Sequence, residues 1–399
     1  MRNRNIDINI LTMGRRDMMA IGAKAAGLVS LSSLGILASG QSAKAADKAI
    51  NLCSWGGGYQ FSQIEAYEKP YTKKTGYRFN NIEKSGNGAA LITAQETSGN
   101  ISFDIVDMLQ ASAVRLGTEG VLQMIDFDRD LDPAPDGTPA SADFTKGSLG
   151  VNGKTGPYVP TVATSDLFAF NKNAFSASQQ PKTVKDVFDI KNFPGIRALE
   201  KSPADNLEWA LYADGVARDK IYEELKTEAG VSRAFRKLDT IKKNVVWWSE
   251  GAQPPQMLAQ KEAVIASAYN GRIFDAIASD NQPFEFIWDG AIFYWDGWVI
   301  PAGLAPDRLR VAMDFLRFST STQSLARQAR YIAYSPARQS ALKLVKKPTF
   351  TYYKNTKIEM WKYMPTTPDH LKSAIPKNVS FWSNYGPQLS QRFSAWLAS

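Results

Sequence analysis

The sequence predicts an α/β protein built of two lobes with a cleft between them. In the first part of the chain, short apolar runs alternate with helical patterns, and the same alternation restarts after residue 195. Such alternation is typical of sheets covered by helices. Two long extended stretches, residues 158–171 and 292–300, follow these two series. Two αβ series joined by two extended crossings predict a hinged pair of lobes, in which a ligand lies beyond the carboxyl ends of the strands.

The first series begins with a strand that ends at Trp55 and runs into three glycines. The helix that follows has its apolar residues three and four positions apart, and Gly76 is a natural residue to end it. In order, the pattern predicts strands at residues 50–55, 77–82 and 103–108, and helices at residues 61–76, 89–97 and 112–119. A segment rich in Pro, Asp, Ser and Gly, residues 128–143, predicts a surface loop.

The second series lies between the two crossings and is followed by helices alone. Its predicted strands are residues 196–199, 245–248, 264–268 and 284–287, and its predicted helices are residues 206–213, 231–243 and 271–278. Further helices are predicted at residues 309–318, 323–330, 337–345 and 387–396. We therefore expect one lobe to comprise residues 46–159 and 297–399, and the other lobe to comprise residues 160–296.

The N-terminus has the three parts of an export signal in the right order. Basic residues that include the pair Arg15-Arg16 precede a modest apolar run at residues 25–38, and the small-x-small sequence Ala43-Lys44-Ala45 follows. This arrangement predicts a cleaved signal peptide over residues 1–45, of the twin-arginine type, and a periplasmic mature protein that begins near Ala46. A disordered basic tail or a membrane anchor is the alternative, although the apolar run is shorter than the roughly 20 residues a span needs.

Composition argues against several classes of function. The chain carries a net charge of +8, but its first 45 residues hold six basic and two acidic residues, so the remainder carries only +4. Its basic residues are scattered, which argues against nucleic-acid binding. Cys53 and His370 are the single residues of their types. With His370 in a polar stretch that predicts an exposed loop, we expect no metal site, no cofactor and no catalytic group based on histidine.

Several short strings, in order along the chain, resemble the periplasmic spermidine/putrescine-binding protein family. The strings fall on predicted strand ends, on the end of the first helix and on the return crossing. They are residues 51–55 (NLCSW), 71–76 (YTKKTG), 103–106 (FDIV), 117–122 (GTEGVL), 158–160 (YVP), 268–271 (AYNG), 293–296 (FYWD) and 299–301 (VIP). The resemblance implies the two-lobed periplasmic-binding-protein fold of type II, as found in the extracellular solute-binding proteins of ABC transporters.

The resemblance also implies a set of ligand-binding residues. Members of that family hold amines with aromatic ring faces and carboxylates, and matching positions here are Trp55, Asp205, Tyr269, Tyr294 and Asp296. The physics agrees, because an ammonium over an aromatic face gains about 0.5–2 kcal/mol and a nearby carboxylate balances its charge.

One departure from the family concerns the ligand's charge. Arg272 follows Asn270-Gly271 at the start of a predicted helix, where a site for a purely cationic polyamine has little use for it. A guanidinium beside free backbone N–H groups is a good carboxylate site. Arg272 and Asp296 together would suit a zwitterion such as an amino acid or γ-aminobutyrate; alternatively, Arg272 points outward or pairs with Asp275.

The function implied is the periplasmic substrate-binding component of an ABC transporter, which captures a small amine by lobe closure. The expected ligand is a polyamine such as putrescine or spermidine, and the expected partners are permease subunits in the inner membrane, with the binding protein itself a monomer. Two alternatives remain open, namely a binding protein or sensor for a zwitterion such as γ-aminobutyrate, and an enzyme on the same fold. The sequence offers no nucleophile with a neighbouring base, which argues against the enzyme.

Overall fold

A computed structural model describes residues 48–84, 88–151 and 153–399. The predicted signal peptide, with its twin-arginine pair and its cleavage site near Ala45, lies outside these residues. In the part of the chain that the structure describes, no helix is both long enough and apolar enough to cross a membrane.

The strands form one large sheet, with two small two-stranded sheets beside it. The strands are β1 (Ala49–Ser54), β2 (Arg78–Glu83), β3 (Ile105–Leu109), β4 (Ile125–Asp126), β5 (Thr155–Gly156), β6 (Val159–Asn171), β7 (Arg197–Glu200), β8 (Val245–Trp248), β9 (Ile265–Tyr269), β10 (Phe284–Val299), β11 (Ser335–Pro336), β12 (Thr351–Tyr352), β13 (Asn355–Glu359) and β14 (Ile375–Pro376).

Helices cover the sheet and form most of the C-terminal part of the chain. They are α1 (Gly57–Gln63), α2 (Lys69–Thr75), α3 (Ala89–Ser98), α4 (Gln110–Thr118), α5 (Phe127–Asp130), α6 (Ala140–Asp143), α7 (Val184–Phe188), α8 (Asn206–Ala213), α9 (Ile221–Leu225), α10 (Glu228–Asp239), α11 (Gln253–Ala259), α12 (Asn270–Ala278), α13 (Pro306–Ser319), α14 (Thr322–Gln328), α15 (Gln339–Val345), α16 (Pro368–Leu371) and α17 (Val379–Ala398).

The large sheet runs β2-β1-β3-β10-β6-β9-β7-β8, with β11 on β6 and β14 on β10. Parallel pairs lie at both ends, β1 with β2 and β3, and β7 with β8 and β9. The two long crossings, β6 and β10, occupy the centre and pair antiparallel with each other. The alternating pattern therefore predicts the two parallel halves correctly, and the central crossings make the complete sheet mixed.

Apolar side chains form one core at each end of this sheet. The first core packs around β1, β3 and the end of β10, and includes Trp298 and Phe315. Around β7 and β9 the second core has two parts, one on each side, centred on Trp209 and on Phe274. Since β6 and β10 contribute residues to both cores, these two strands connect the lobes.

Helix α1 continues through a π-helical segment, Ile64–Glu68, into α2, so the first helix is one long element. It ends at Gly76, which has φ of +79°, as the sequence predicts for a left-handed C-terminal residue. The helix buries Tyr67 and Tyr71 in the first core. It begins earlier than predicted, directly after Gly56, which places its first turn beside the carboxyl end of β1.

Strand β10 is continuous where the sequence predicts two separate pieces. The register shifts between Ile287 and Ile292, so residues 288–291 bulge out of the ladder. Trp209 Nε1 donates to the Gly290 carbonyl at 2.8 Å, and a Cβ at Gly290 would lie 2.5 Å from Val184. These contacts with Trp209 and Val184 keep residues 288–291 within the strand, although the sequence predicts a break between two strands there.

The C-terminal helix α17 begins at Val379, with Asn378 as its N-cap, and carries Pro387 inside it. The sequence predicts a start at residue 387, because proline is common in a first helical turn. Phe381, Leu389 and Phe393 of α17 lie in the second core. The residue limits of the two lobes given above stay a prediction.

Candidate functional site

Predicted site residues follow or end strands of the large sheet. Trp55 comes directly after β1, and Tyr269 is the last residue of β9 and the N-cap of α12. Asp205 is the N-cap of α8, with an unusual φ of +69°. Tyr294 and Asp296 lie in β10, between its bulge and its end. These positions are the ones at which open sheets present ligand-binding side chains.

Three of the predicted residues meet in a cavity between the two cores. It has a volume of about 550 Å³, and we call it the Tyr269–Tyr294 cavity. One wall comes from the start of α4, including Gln110, and the opposite wall from the strand ends of the second core. The lining residues of the whole cavity that carry charge or rings are Lys146, Asp166, Glu200, Asp205, Tyr269, Phe293, Tyr294, Trp295, Lys377 and Trp382.

Acidic groups dominate this cavity. Tyr294 donates its hydroxyl hydrogen bond to Asp166 Oδ1 at 3.3 Å. Burial raises the pKa of Asp166 well above its usual range, and the charge of Asp205 adds to the effect. Burial likewise raises the pKa of Glu200 to about 7, again with a contribution from Asp205. The cavity therefore contains carboxyl groups whose ionisation would gain from a cation.

Two lysines line the cavity, the exposed Lys146 and the largely buried Lys377, which is ion-paired inside it. The Lys377 ammonium donates to Asp205 Oδ1, and the Lys377 side chain is 17% exposed and that of Asp205 5%. Although burial disfavours its charged form, the carboxylates of Asp205, Glu208 and Asp166 raise the pKa of Lys377 above its ordinary value. Lys377 thus offsets only part of the acidic charge, and it is already paired.

Glu208 is fully buried next to this pair and joins the site to the C-terminal helix. It accepts hydrogen bonds from Tyr222 Oη at 3.1 Å and from Trp382 Nε1 at 2.6 Å. Burial raises the pKa of Glu208 to about 7, although the nearby charge of Lys377 lowers it. Trp382 also borders the Tyr269–Tyr294 cavity, so the floor of the site and α17 are connected.

Trp55 and Asp296 belong to a second cluster, beside the first core. Trp55 Nε1 lies 3.2 Å from Asp296 Oδ1 and 3.3 Å from Asp107 Oδ1, and the Lys84 ammonium lies 3.0 Å from the centre of the Trp55 ring. Tyr59 donates to Asp107 Oδ2 at 2.8 Å. Tyr294, two residues earlier in β10, lines the Tyr269–Tyr294 cavity together with Phe293 and Trp295, whereas Asp296 belongs to this second cluster.

In this second cluster, burial and neighbouring charges shift the pKa of each charged group. Burial raises the pKa of Asp296 well above its ordinary value, and the Asp107 carboxylate beside it adds to the shift. Burial also raises the pKa of Asp107 and lowers that of Lys84, while the opposite charges of the two groups act against both shifts. Two carboxyl groups and one ammonium beside an indole ring form a site that a second cation or a proton would stabilise.

Arg272 lies in a smaller cavity of about 230 Å³, together with Tyr59 and Tyr334. Within the described residues its guanidinium makes no hydrogen bond and no salt bridge. It rests against Gly57, where an added Cβ would lie only 2.8 Å from Nη1. The alternative partner, Asp275, instead accepts a hydrogen bond from Ser279 Oγ at 2.9 Å.

Tyr334 lies between these three groups of charges. Burial raises its pKa to about 12; the Arg272 charge acts in the opposite direction, and Asp296 and Asp166 add to the rise. Its ring centre is 5.4 Å from that of Tyr59, and a Cβ on Gly271 would be 2.6 Å from the Tyr334 ring. Tyr334 therefore lies near Arg272 and Asp296, two predicted residues that the structure places in different groups, and near Asp166.

Sequence reasoning missed Asp107, Asp166 and Lys377 as site residues. The two aspartates were detectable in principle, since each interrupts an apolar strand, β3 and β6, near the cleft. Lys377 follows the short strand β14, and no local pattern distinguishes it from surface lysines. Its place in the site depends on the pairing of β14 with β10.

The histidine and the cysteine lie away from any catalytic arrangement. The sequence predicts His370 in an exposed loop, and this prediction is wrong. His370 lies in α16, where its ring stacks on Trp288 with 3.7 Å between ring centres, and the aromatic face of Trp288 shields it from solvent. Burial raises the pKa of the Cys53 thiol to about 11, which disfavours the reactive thiolate. No group of three or more metal-ligating side chains occurs among the residues described.

Comparison with known proteins identifies the family. Residues 66–358 match the family model described as bacterial extracellular solute-binding protein. The γ-aminobutyric acid-binding protein of Pseudomonas aeruginosa is 33% identical over 366 residues, which cover 92% of this chain and 96% of that protein.

Solved structures agree with this match. MotA of A. tumefaciens B6, in complex with glucopine, is 29% identical, with a TM-score of 0.71 over 88% of this chain and 99% of its own. The Atu4243 GABA receptor is 28% identical, with a TM-score of 0.70 over 88% and 97%. A spermidine/putrescine transporter protein of Streptococcus pneumoniae is 14% identical, with a TM-score of 0.62 over 88% and 99%, which shows the fold alone.

These relatives confirm the two-lobed periplasmic-binding-protein fold and refine the resemblance. The predicted kinship with spermidine/putrescine-binding proteins holds at the level of the fold, whereas the relatives with higher identity are named for other ligands. The family model that matches describes bacterial extracellular solute-binding proteins. This chain therefore belongs to the bacterial extracellular solute-binding protein family and is the substrate-binding component of an ABC transporter.

Proposed function

We propose that the protein captures a small solute carrying both an ammonium and a carboxylate group, with γ-aminobutyrate and similar ω-amino acids as the ligand class. One observation carries the proposal. The charges of Asp166, in the acidic and aromatic cavity, and of Arg272, whose guanidinium has no hydrogen-bonding or salt-bridge partner among the described residues, both act on the pKa of Tyr334. A ligand with separated opposite charges would complement both.

The amine end fits the Tyr269–Tyr294 cavity. The two half-buried rings offer faces for an ammonium, worth about 0.5–2 kcal/mol. Asp166 and Glu200 are the acceptors available for its N–H groups, because Asp205 is already paired with Lys377. Binding a cation there would reduce the repulsion among these carboxylates.

The carboxylate end fits Arg272. A guanidinium with no competing acid can bind a carboxylate through two parallel hydrogen bonds, and the start of α12 adds backbone N–H groups. Gly57 leaves room for the guanidinium at its present position. The predicted partner for the amine, Asp296, then acts indirectly, by holding Trp55 at the edge of the site. The names of the two γ-aminobutyrate-binding relatives support this ligand class.

A polyamine such as putrescine or spermidine is the second candidate. The observation that favours it is the excess of acidic side chains in the Tyr269–Tyr294 cavity, where Asp166, Glu200 and Asp205 face the two lysines Lys146 and Lys377. A diamine would place one ammonium at Asp166 and the other at Glu200 or at the Asp107–Asp296 pair. Arg272 would then have no ligand group to bind, which is why we rank this candidate second.

We further propose the route and the mode of action. A twin-arginine signal over residues 1–45, cleaved near Ala45, would deliver a monomeric protein to the periplasm. A lobe of residues 46–159 and 297–399 would close on a lobe of residues 160–296, because a bridging ligand binds the closed state better. Permease subunits in the inner membrane would recognise that closed state. No reaction is catalysed in this scheme.

Isothermal titration calorimetry at pH 8 tests the ligand class. We expect γ-aminobutyrate to bind at least about tenfold more tightly than butylamine or butyrate, each of which lacks one charge. Arg272→Met should weaken γ-aminobutyrate binding by about 30-fold or more, equivalent to about 2 kcal/mol for a lost buried charge pair, and leave putrescine unaffected. Arg310→Met, at an exposed arginine, is the matched control. Tight putrescine binding without γ-aminobutyrate binding would favour the second candidate.

A further inference from the structure

Basic residues occur throughout the chain, but one segment holds them without acidic residues. Residues 315–358 include nine arginines and lysines and neither an aspartate nor a glutamate, whereas the rest of residues 46–399 has 32 basic and 37 acidic residues. The segment forms α14, α15, β11, β12 and parts of α13 and β13. A surplus of positive charge therefore lies on consecutive elements of the C-terminal part of the chain.

Three of these nine cations are paired with acidic residues of the segment 130–143. The pairs, with N–O distances of 4.0, 3.4 and 4.0 Å, are Arg317–Asp132, Arg338–Asp143 and Lys343–Asp136. The other six form no salt bridge in the described part of the chain, and they are Arg327, Arg330, Lys346, Lys347, Lys354 and Lys357. Two thirds of the segment's positive charge is thus left without a paired carboxylate.

Three of these six cations line one cavity, formed by α14, α15 and the turn after α15, which we call the basic cavity. Its volume is about 320 Å³, at the low end of the range of about 300–1,000 Å³ that is usual for small-molecule sites. Beside Arg327, Arg330 and Lys347, its polar lining residues are Gln323 and Thr349, and no acidic residue lines it. Such a lining attracts anions.

The two arginines are held by contacts that leave N–H groups available to a ligand. Arg327 Nη1 donates to the Ala66 carbonyl at 2.6 Å, and the Arg330 guanidinium carbon lies 6.0 Å from the centre of the Phe350 ring. Neither guanidinium makes another hydrogen bond to the described residues, and the Lys347 side chain makes none to them. Because a guanidinium has five N–H donors, each arginine can offer several.

Acidic side chains next to the cavity have other partners. The π-helical segment Ile64–Glu68 packs against α14, but Glu65 pairs with Lys69, and Glu68 is buried and accepts a hydrogen bond from Asn81. The countercharge for the basic cavity is therefore supplied by solvent ions or by a ligand.

The ends of two helices explain part of this charge. α14 and α15 end at Gln328 and Val345, and the dipole of a helix favours cations near its C-terminus. Each of these helices has only seven residues, and the dipole acts mainly within the last turn. Helix ends therefore do not account for three cations that line one cavity with no acid among them.

Phosphate is the anion whose chemistry matches this lining best. A guanidinium binds two phosphate oxygens through parallel hydrogen bonds, and a lysine adds a compact positive charge. A phosphate monoester carries close to two negative charges at neutral pH, so three unpaired cations favour it over a single carboxylate.

We infer that the basic cavity is a second binding site of this protein, which takes a phosphate group. That phosphate belongs either to a free small molecule or to the headgroup of an anionic phospholipid, and its contacts with Arg327, Arg330 and Lys347 are the same in both cases. The basic cavity shares no lining residue with the Tyr269–Tyr294 cavity or with the cavity of Arg272, so the inference does not depend on the proposed function.

Two assays test the site and distinguish the two sources. Calorimetry with pyrophosphate at pH 8 and low salt measures binding of a free phosphate compound, and we expect a dissociation constant below about 1 mM. Co-sedimentation compares vesicles that contain phosphatidylglycerol with vesicles of phosphatidylcholine alone. Retention on the anionic vesicles that pyrophosphate abolishes would identify the headgroup as the source, and pyrophosphate binding without retention would identify a free compound.

Two other results overturn the site. Absence of both pyrophosphate binding and retention leaves nothing for the basic cavity to bind. Retention on anionic vesicles without any binding of pyrophosphate would show attraction by diffuse surface charge.

Double variants matched in charge locate the effect. Arg330→Gln/Lys347→Gln removes two cations of the cavity and should weaken pyrophosphate binding by at least about tenfold. Lys357→Gln/Lys362→Gln removes two exposed cations outside the cavity and should change the affinity by less than about twofold, because exposed charges at a distance are screened. Equal losses in the two double variants would again assign the binding to diffuse charge and overturn the site.

Lys347→Gln alone guards against a folding defect, since this side chain makes no hydrogen bond or salt bridge within the described residues. We expect it to weaken pyrophosphate binding by about threefold or more and to leave the urea unfolding midpoint unchanged. Reduced stability of Arg330→Gln/Lys347→Gln with full affinity for pyrophosphate would assign these cations to the helix ends alone and overturn the site.

Failure of the proposed function gives a different result. γ-Aminobutyrate should bind equally well to the native protein and to all three variants, because none of the substituted residues lines either ligand cavity. If γ-aminobutyrate does not bind but pyrophosphate does, the phosphate site stands and the proposed ligand is wrong. If γ-aminobutyrate binds and pyrophosphate does not, the proposed function stands and the phosphate site is wrong.

Discussion

The Lys377 ammonium donates a hydrogen bond to the Asp205 carboxylate across 172 residues of chain, and both side chains are largely buried. The pair fixes the segment between β14 and α17 against the start of α8. It also supplies the cation that stands among Asp166, Asp205 and Glu208. The candidate site therefore depends on the C-terminal part of the chain for its electrostatic balance.

Replacing this lysine should destabilise the fold in a pH-dependent way. Lys377→Met leaves buried carboxylates without their cation, and loss of one partner of a buried pair typically costs about 3–5 kcal/mol. We expect a loss of about 3 kcal/mol in urea unfolding at pH 8 and a smaller loss at pH 6, where protonation of Glu208, whose pKa is raised to about 7, relieves the repulsion. Lys372→Met, at an exposed pair, should cost less than about 0.5 kcal/mol at both pH values. Equal losses in the two variants would contradict a structural role for the buried pair.

Gly57 should control the binding of the ligand's carboxylate. Gly57→Ala places a Cβ 2.8 Å from Arg272 Nη1, so the guanidinium has to move. We expect the γ-aminobutyrate dissociation constant to rise about fivefold or more, a loss of about 1 kcal/mol. Putrescine binding, measured by the same calorimetry, should be unchanged.

Gly76→Ala is the matched control for this variant. Gly76 also has a positive φ, of +79°, but a Cβ there meets nothing within 4 Å. Both variants should lose about 1 kcal/mol of stability from the left-handed backbone, and only Gly57→Ala should change ligand affinity. A similar change in both would attribute the effect to backbone strain and not to Arg272.

Amine binding should weaken as the pH falls through 7. Glu200 borders the Tyr269–Tyr294 cavity and has a pKa of about 7 in the free protein, so it is mostly ionised at pH 8 and mostly protonated at pH 6. A bound ammonium favours the ionised form. We therefore expect the affinity for γ-aminobutyrate to fall by up to about tenfold from pH 8 to pH 6.

Glu200→Gln should flatten this profile, while Glu262→Gln, at an exposed position, should leave it as in the native protein. Glu208 also has a pKa of about 7 but does not line the cavity. Any pH dependence of the affinity that remains in Glu200→Gln is therefore the contribution of Glu208. An affinity that rises on acidification would show that the ligand does not present a cation to this wall.

Glu68 should be a source of instability at neutral and higher pH. It is buried, Asn81 Nδ2 donates to its Oε2 at 2.7 Å, and its Oε1 accepts no hydrogen bond from the described residues. Burial raises its pKa from 4.5 to about 7, so folding favours the protonated form, and stability is lost as the pH rises from about 4.5 to 7. Glu68→Gln should add about 2 kcal/mol at pH 8 and little at pH 5, measured by urea unfolding. Glu223→Gln, at an exposed position, should add less than about 0.5 kcal/mol at either pH.

Local patterns were sufficient to predict most of the fold. The strand Val245–Trp248 and the helix Asn206–Ala213 lie where the sequence predicts them, because short apolar runs and helical spacing are local signals. The bulge in β10 was missed, since Trp209 and Val184 hold it through contacts distant in sequence. Helix α17 begins eight residues before its predicted start for the same reason: packing on the second core outweighs Pro387.

The site was harder to predict than the fold. Tyr269, Tyr294 and Asp205, which the family resemblance implied, do meet in one cavity. Arg272, Trp55 and Asp296 lie in neighbouring groups instead, because side-chain direction at a strand end depends on bulges and on the packing of Tyr334. The charged residues that set the electrostatics, Asp107 and Lys377, become visible only when distant segments are brought together.

The two central strands have a mechanical consequence. β6 is buried along its whole length and is hydrogen-bonded to β10 on both sides of the bulge. Relative movement of the lobes must therefore bend a continuous pair of strands, with the register shifts at Ile287/Ile292 and Asp296/Gly297 as its weakest points. If the lobes close as proposed, this strand pair would bend elastically, and its stiffness would set how much binding energy is stored on closure and returned when the ligand is released.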